Sequence, residues 1–399
     1  MPGPLDGIRV VDIGRAASGP FAALILADLG AEVIKVEAID GSFDRSIGGP
    51  HRGGVDAFFV NANRGKSSVA LDLRTSEGLD ALRAILSTAD VAIANFRPGV
   101  LAAMGLDYDT LKQLNEGIIL VEINGFGSTG PYRDDPAFDP VVQGMSGLVN
   151  LQRDVRTGMP DVIRNMVVDK VTSLFAANSA MAAVIARGRT GVGQRIEVTM
   201  LDAAIYFAWP EGMADATFVG DFRSGRMGIK FQEITSVRDG EVVFMAISFK
   251  QRQALLEAVG RGDLLQDPRF ATQEALTKLE NLNTLHDIVR EAAADIDKAD
   301  FTKRLIDAGV PCGPILGTEE VIADPHVRET GIFTEWDDPQ IGTIRSPRPP
   351  AKFAGAPSEP VAGLRPLGSD GRALLKEAGW SDEQVDQLIG SGGMRAEGR

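Results

Sequence analysis

The sequence predicts an α/β protein that combines a large, doubly wound domain with a smaller α+β domain. Short apolar runs alternate with helical patterns over residues 1–200, which is typical of a parallel sheet covered by helices. A hairpin pattern followed by mostly helical sequence lies further along the chain. The length of 399 residues accommodates two domains, and 44% hydrophobic with 24% charged residues excludes a disordered or fibrous class.

The N-terminal part is predicted to be built from β-α-β units. A strand at 8–13 precedes a helix at 18–30, closed by Gly30, and a second strand at 31–37. Such a unit implies a parallel sheet with a right-handed crossover. The same alternation continues with strands at 68–73, 90–96 and 117–124 and helices at 76–87 and 108–115. These elements predict a Rossmann-like large domain.

A turn and a loss of periodicity mark where the N-terminal part of the large domain ends and a linker begins. A helix at 170–187 is followed by a glycine-containing turn and a strand at 194–200. Residues 201–225 show no clear period and are interpreted as a linker. We therefore assign 1–200 to the N-terminal part of the large domain.

The second half of the chain predicts a small domain at 226–325 and a return to the large domain. Two strand patterns flank Asp239-Gly240, and the sequence from Phe249 is mostly helical. Residues 326–360 are interpreted as a return linker, and 361–390 as the C-terminal part of the large domain, with Ser381 and Gln384 as a capping box. The glycine-containing tail at 391–399 is expected to be disordered.

Charge and composition disfavour several classes of partner. There are 41 Lys plus Arg against 55 Asp plus Glu, a formal charge of −14, which repels nucleic acid. No apolar run is long enough to span a membrane, and no basic segment precedes an apolar leader, so we expect a cytoplasmic protein. One cysteine and three separated histidines predict no metal site.

A glycine motif raises the alternative of a dinucleotide site. Residues 125–130 fit G-x-G-x-x-G and follow a predicted strand. Pro131 comes next, however, and no helical pattern opens there, whereas pyrophosphate binding in this mode requires a helix N-terminus. No NAD is expected.

Asp169 is the candidate catalytic residue, because it stands directly after three apolar residues and directly before a helical pattern. One interpretation is a helix cap, which stabilises a helix by about 0.5 to 2 kcal/mol. The other is a nucleophile. The residues alone favour the cap and do not exclude the nucleophile.

Eight segments, taken in order and with their spacing, resemble the family III CoA-transferases over nearly the full length of the chain. That family includes formyl-CoA and carnitine CoA-transferases together with α-methylacyl-CoA racemases. The segments are "IRVVDIGRAASGPFAALILADLGAEVIKVE", "NANRGKSSVALDL", "NFRPGVLAAMGLDYDTL", "GFGSTGPYRDDPAFD", "VVDKVTS", "RTGVGQRIEVTMLDA", "AGVPCGPI" and "ADPHVRETG".

The resemblance implies a CoA-transferase whose nucleophile is Asp169. In such enzymes the aspartate attacks an acyl-CoA thioester, and a carboxylic acid finally receives the CoA through anhydride and aspartyl-CoA intermediates. The implied partners are an acyl-CoA and a carboxylic acid. The implied assembly is an interlocked, ring-shaped homodimer with its active site between the large domain of one chain and the small domain of the other.

Two alternatives remain beside transfer. The racemase branch moves a proton with a histidine and an aspartate, and that histidine belongs where this chain has Phe138, whose ring cannot carry a proton. Transfer is therefore favoured over an α-methylacyl-CoA racemase or epimerase. A non-catalytic CoA- or nucleotide-binding protein is the third interpretation.

The resemblance also implies a CoA cleft and shows where this chain departs from its relatives. The implied cleft residues are Ala16, Ala17, Leu71, Arg74, Asn95, Phe96, Arg97 and Phe138. Ala38 and Ala103 stand where many relatives carry arginine. The candidates to compensate for these two arginines are Arg45, Arg64, Lys66 and Arg97.

The segment 221–233 is the remaining departure from the relatives. The glycine-rich loop that covers the aspartate in formyl-CoA transferase has no clear equivalent in this chain, and the segment is shorter and more basic than that loop. Arg223 or Arg226 could hold a substrate carboxylate there, although a solvated linker is the favoured interpretation.

Overall fold

A computed structural model describes residues 3–154, 157–221, 232–356 and 359–396. The contacts between residues divide the chain into two compact units. The first comprises Met1–Ala214 and Gly331–Arg399, and the second comprises Asp215–Thr330.

The first part of the larger unit alternates strands and helices. The strands are β1 (Arg9–Asp12), β2 (Glu32–Glu37), β3 (His51–Arg52), β4 (Val55–Asp56), β5 (Ser67–Ala70), β6 (Val91–Ala94), β7 (Ile119–Asn124) and β8 (Arg195–Thr199). The helices are α1 (Ser18–Asp28), α2 (Ala57–Asn63), α3 (Ser76–Ser87), α4 (Val100–Ala103), α5 (Tyr108–Leu114), α6 (Asp139–Met145), α7 (Leu148–Leu151), α8 (Val167–Thr190) and α9 (Met200–Gly212). Short 3₁₀ turns occupy Phe43–Ser46 and Ala214–Ala216.

Within the described residues, six of these strands form one parallel sheet in the order β5-β2-β1-β6-β7-β8. Numbered along the chain, these six strands run 3-2-1-4-5-6 across the sheet, which is the doubly wound order. The prediction of an α/β protein with a parallel sheet is confirmed. The strand order reverses between β1 and β6, and in open sheets of this kind ligands bind at the carboxyl ends of the two strands that flank the reversal.

Helices cover both faces of the sheet, because successive strand residues point to opposite sides. Val10 of β1 belongs to an apolar core with α1 and α8, and the next residue, Val11, belongs to a core with α3, α4 and α5. Strands buried on both faces have nearly continuous apolar sequences, which is why they were recognisable as strands.

The segment 201–225, expected to be a linker, is helical over α9. The helix has no visible period because both of its faces are apolar: Ala203, Ala204 and Ala208 are buried, while Tyr206 and Phe207 are at least half exposed.

The smaller unit contains a three-stranded antiparallel sheet with helices. Its strands are β9 (Gln232–Val237), β10 (Gly240–Met245) and β11 (Cys312–Pro314), in the order β11-β10-β9. Its helices are α10 (Phe249–Ala258), α11 (Leu279–Ala293), α12 (Lys298–Asp307), α13 (Thr318–Ala323) and α14 (Pro325–Thr330), with 3₁₀ turns at Gly262–Gln266 and Ala275–Thr277. The hairpin predicted around Asp239-Gly240 is confirmed.

The chain then returns to the larger unit. An antiparallel pair, β12 (Phe333–Asp338) and β13 (Gly342–Pro347), lies within the segment expected to be a linker. Helices α15 (Gly371–Glu377) and α16 (Asp382–Gly390) follow, and the capping box of Ser381 and Gln384 is confirmed.

The tail at 391–399, expected to be disordered, is ordered over residues 391–396. Met394 is buried in the core that contains Leu71, with which it also forms an antiparallel β-bridge. Residues 397–399 lie outside the described residues. None of the helices in the described ranges has the length and apolar character needed to cross a bilayer.

Candidate active site

Asp169 lies in the first turn of α8 but does not cap the helix. The helix begins at Val167, its N-cap residue is Met166, and no side chain caps it from that position. Asp169 is therefore the third helical residue, with a partly buried side chain. The cap interpretation, which the residues alone favoured, is wrong.

The backbone at the start of α8 is capped by a different carboxylate, that of Asp139. The N–H of Asp169 donates to Asp139 Oδ2 at 2.9 Å, and Gln143 Nε2 donates to Asp139 Oδ1 at 2.5 Å. Asp139, the first residue of α6, is only 4% exposed. Because Asp139 accepts this N–H, the Asp169 carboxylate is left available for chemistry.

The surroundings of Asp169 make its carboxylate more basic than usual. Burial and, after it, the negative charge of Asp139 raise the pKa of Asp169 to about 6, while a hydrogen bond from the Ser18 side chain acts in the opposite direction. The group is therefore mostly ionised at neutral pH. A partly desolvated carboxylate with a raised pKa has the ionisation and basicity that a nucleophile requires.

Hydrogen bonds connect the loops after β1 and β6 to the start of α8. Asn95 Nδ2 donates to Ser18 Oγ at 3.1 Å and to the Arg15 carbonyl at 2.7 Å. Ser173 Oγ lies 2.8 Å from both the Ser18 and Asp169 carbonyl oxygens. Asp169, Ser18 and Asn95 therefore lie together at the point where the strand order reverses.

A cavity of about 380 Å³ opens at the same edge of the sheet. It is lined by Ile13, Arg15, Val36, Glu37, Ala38, Ile39, Asp40, Gly41, Ser42, Phe43, Leu71, Asp72, Leu73, Arg74 and Phe96. Its size and mixed polar and apolar lining are those of a small-molecule site.

The structure brings together some of the implied cleft residues and separates others. Three of them, Leu71, Arg74 and Phe96, line the cavity; Ala16, Ala17 and Asn95 belong to the two loops beside it. Arg97 and Phe138 are exposed and are not among the lining residues of the cavity in the part of the chain that is described.

Three of the cations considered as replacements for the missing arginines already have buried or partly buried partners. Arg45 pairs with Glu37 through two contacts of 2.7 Å, Arg64 pairs with Asp28 at 2.6 Å, and Lys66 contacts Asp12 at 2.8 Å. These side chains support the fold and do not replace the arginines. Arg223 and Arg226 lie outside the described residues.

Sequence reasoning missed Asp139 as a functional candidate. Asp139 is separated from Asp169 by 30 positions, and no spacing rule connects the two. The only available signal was its place beside Phe138, within one of the family-like segments.

A comparison with protein-family models shows to which family the chain belongs. The model of CoA-transferase family III matches residues 5–371. The chain belongs to CoA-transferase family III.

The relatives of this family III chain include curated transferases and a solved structure. Over 86% of the chain and 88% of its own length, a succinate–glutarate CoA-transferase of Agrobacterium fabrum is 34% identical. A succinyl-CoA–D-citramalate CoA-transferase of Chloroflexus aurantiacus is 32% identical over 86% of each protein. A CAIB/BAIF family protein from Brucella suis is similar in structure, with a TM-score of 0.84, 34% identity, and coverage of 95% of this chain and 100% of its own.

The site of this family III protein has no proton-carrying side chain at position 138. Phe138 is 71% exposed, and the neighbouring Asp139 is buried with both carboxylate oxygens accepting N–H groups. Asp139 therefore holds the backbone at the start of α8, next to Asp169.

Replacing Asp139 with asparagine is expected to move the pH dependence of activity to lower pH. The substitution removes the like charge that raises the pKa of Asp169, so Asp169 ionises at a lower pH than about 6. The acidic limb of a kcat/KM profile measures this shift. Asp135→Asn, which changes an exposed carboxylate in the segment before α6, should leave the limb in place. A limb that is unchanged or raised in Asp139→Asn would contradict the prediction.

Proposed function

We propose that the protein is an acyl-CoA:carboxylate CoA-transferase that works through a covalent intermediate on Asp169. The observation that carries the proposal is the pairing of Asp139 with the Asp169 N–H, which leaves a partly buried, basic Asp169 carboxylate hydrogen-bonded to Ser18. The cavity opens at the same edge of the sheet, although Asp169 is not one of its lining residues. Membership of CoA-transferase family III supports the reaction class.

The reaction proceeds in four balanced steps. An oxygen of Asp169 attacks the thioester carbon of the donor, the C–S bond breaks, and a mixed anhydride and CoA thiolate form. The thiolate attacks the aspartyl carbon, which releases the donor acid and leaves an aspartyl-CoA thioester. The acceptor carboxylate attacks that thioester and expels the thiolate. The thiolate then attacks the acyl carbon of the second anhydride, so that the new acyl-CoA leaves and Asp169 is regenerated.

The residues around Asp169 position and stabilise the reacting groups. None of the four steps requires a net proton transfer. Asp169 lies in the first turn of α8, where the positive end of the helix dipole favours negative charge on the aspartyl oxygens. The Ser18 side chain donates a hydrogen bond to the carboxylate, and Asn95 orients that side chain. Positioning and electrostatic stabilisation are the two contributions that this exchange needs from the protein.

A panel of CoA esters and acids tests the proposal. Succinyl-CoA with glutarate or D-citramalate comes first in the panel, because relatives are named for these compounds. The proposal predicts that mass spectrometry detects a new acyl-CoA and the released donor acid in equal amounts. Hydrolysis without transfer across the whole panel would contradict it.

The alternative of racemisation is tested with the same CoA esters in D₂O. A racemase incorporates deuterium at the α-carbon of the acyl-CoA in D₂O without an acceptor acid. The proposal predicts no enzyme-dependent deuterium incorporation, because no titrating group stands at position 138.

We also propose that the protein is a homodimer, interlocked as the family resemblance implies. Exposed apolar side chains lie on or directly before α6, α8 and α9, which pack on one another. Phe138, Val141, Met145, Leu174, Tyr206 and Phe207 are each at least 42% exposed. Exposed apolar side chains grouped on helices that pack together are typical of a protein–protein interface.

The double substitution Tyr206→Glu and Phe207→Glu is expected to yield a monomer in place of the homodimer, because two charges without partners in the proposed interface prevent assembly. Sedimentation velocity measures the change. Lys112→Glu on α5, which packs against the other face of the sheet, should leave the dimer intact. A wild-type protein that sediments as a monomer would contradict the proposal.

A further inference from the structure

The cavity at the edge of the sheet is entered by an arginine to which no role has been assigned. Arg15 follows β1 directly, is exposed, and lines the cavity together with Phe96. Its guanidinium carbon lies 5.3 Å from the centroid of the Phe96 ring. A guanidinium stacked on an aromatic ring presents its edge, with its N–H donors, to a ligand in the same cavity.

The charge of Arg15 is not neutralised by a carboxylate in the described ranges of the chain. The other charged groups that line the cavity have partners: Glu37 is held by Arg45, and Arg74 forms two bonds of 2.8 Å with Asp72. The remaining acid that lines the cavity, Asp40, is exposed, and its negative charge interacts with Arg74. Arg15 is therefore the lining side chain whose positive charge is available to an anion.

The backbone of Arg15 is fixed in place from both sides. Asn95 Oδ1 accepts the Arg15 N–H at 2.7 Å, and Asn95 Nδ2 donates to the Arg15 carbonyl at 2.7 Å. The next residue, Ala16, has a φ of 56°, in the left-handed region that non-glycine residues rarely adopt. A strained turn held by a side-chain amide fixes where Arg15 leaves the backbone, which lowers the entropy cost of binding a ligand.

We propose that Arg15 binds a phosphate group of the ADP moiety of the CoA substrate. This inference rests on the proposed function, since it names which part of an acyl-CoA the cavity holds. It also accounts for Ala38 and Ala103, where many relatives carry arginine, because Arg45, Arg64 and Lys66 are bound to Glu37, Asp28 and Asp12. A guanidinium donates charge-assisted hydrogen bonds to phosphate oxygens in a geometry that lysine does not reproduce.

Calorimetric binding of CoA and of pantetheine to the full chain tests the inference. Pantetheine contains the thiol arm of CoA and no phosphate. Arg15→Met keeps an apolar stem on Phe96 and removes the charge, so it is expected to weaken CoA binding roughly 10- to 100-fold and to change pantetheine binding less than about twofold. Arg15→Lys is expected to recover part of the loss, because it restores charge without the planar donor group.

Arg189→Met serves as the matched control, because Arg189 is an exposed arginine in the last turn of α8, outside the cavity lining. It should bind CoA as the wild type does. Dephospho-CoA, which lacks the 3′-phosphate, then locates the contact. Equal binding of dephospho-CoA by the wild type and Arg15→Met supports a 3′-phosphate contact, and a persistent loss supports a diphosphate contact.

Two results would overturn the inference, and they differ in what else they overturn. If the wild type binds CoA and Arg15→Met binds it equally well, or loses pantetheine to the same extent, the role of Arg15 is excluded while the proposed function stands. If the wild type binds neither CoA nor pantetheine, the proposed function fails together with the inference.

Discussion

Replacing Asp169 with asparagine is expected to abolish CoA transfer and to raise the melting temperature of the protein. The amide cannot attack a thioester, so we expect transfer activity to fall by roughly 1,000-fold or more. The fold should persist, because the backbone N–H of residue 169 still donates to Asp139. Steady-state assays and thermal unfolding of the same preparation measure both effects.

The gain in stability follows from the raised pKa of Asp169. Its value in the folded protein is about 6, above the ordinary value of 3.8, so the folded state holds this proton more tightly than the unfolded state. The contribution of the group to the free energy of unfolding falls as pH rises from about 4 to about 6 and stays low above that. At pH 7.5 the neutral amide should add about 1–2 kcal/mol, or roughly 2–6 °C, after allowance for partial exposure. Near pH 4 the gain should vanish.

Asp202→Asn is the matched control for this prediction. Asp202 is exposed and is the third residue of α9, the same helical position that Asp169 occupies in α8. Its loss should leave activity intact and lower stability by about 0.3–1 kcal/mol, because it removes a favourable charge near a helix N-terminus. An Asp169→Asn protein that retains more than about a tenth of wild-type activity would be incompatible with a nucleophilic role.

Replacing Asp12 with alanine is expected to destabilise the larger unit by about 3–5 kcal/mol. Asp12 is fully buried between two buried ammonium groups, with Lys66 Nζ at 2.8 Å and Lys35 Nζ at 3.3 Å from its Oδ2. Its removal leaves both charges uncompensated in the core. Asp12 Oδ1 also accepts the N–H of Gly14 at 2.8 Å, so the substitution loosens the loop that carries Arg15. Thermal unfolding should show a loss of roughly 10 °C.

The pH dependence distinguishes an electrostatic cause from loss of packing. Burial lowers the pKa of Lys66 to about 8, and the loss of Asp12 lowers it further. When the pKa of a lysine is lower in the folded than in the unfolded state, the free energy of unfolding increases as pH rises toward the pKa of the unfolded state. The penalty of Asp12→Ala should therefore be smaller at pH 9.5 than at pH 7. Asp80→Ala, which breaks an exposed pair with Arg83, should cost less than about 1 kcal/mol. A penalty independent of pH would show that packing, and not charge, explains the loss.

The alternation of strands and helices in the larger unit was predictable because its strands are buried on both faces. Runs such as "VAIA" at Val91–Ala94 leave little choice other than a covered parallel strand. Helix α9 was not predictable in the same way, since apolar side chains occupy both of its faces and Pro210 lies inside it. Periodicity detects a helix only when the helix has a polar side.

The site was predictable in part. Family-like segments indicated Asp169, but not that Asp139 would accept its N–H from a different helix. The spacing of residues along the chain carries no information on which side chain satisfies an unpaired N–H, because any element packed nearby can supply the acceptor. The availability of Arg15, likewise, became visible only when Arg45, Arg64 and Lys66 were each found with a carboxylate partner.

Chemical trapping of the intermediate tests the role of Asp169 most directly. The enzyme is mixed with an acyl-CoA donor, treated with hydroxylamine, and digested with trypsin. Cleavage after Arg164 and Lys170 releases a six-residue peptide, Asn165–Lys170, in which Asp169 is the only side-chain carboxylate. A hydroxamate on this peptide, formed only when donor is present and missing from Asp169→Asn, is the result expected from a covalent aspartyl intermediate. Full turnover with this peptide unmodified, or with the label on another carboxylate, would contradict it.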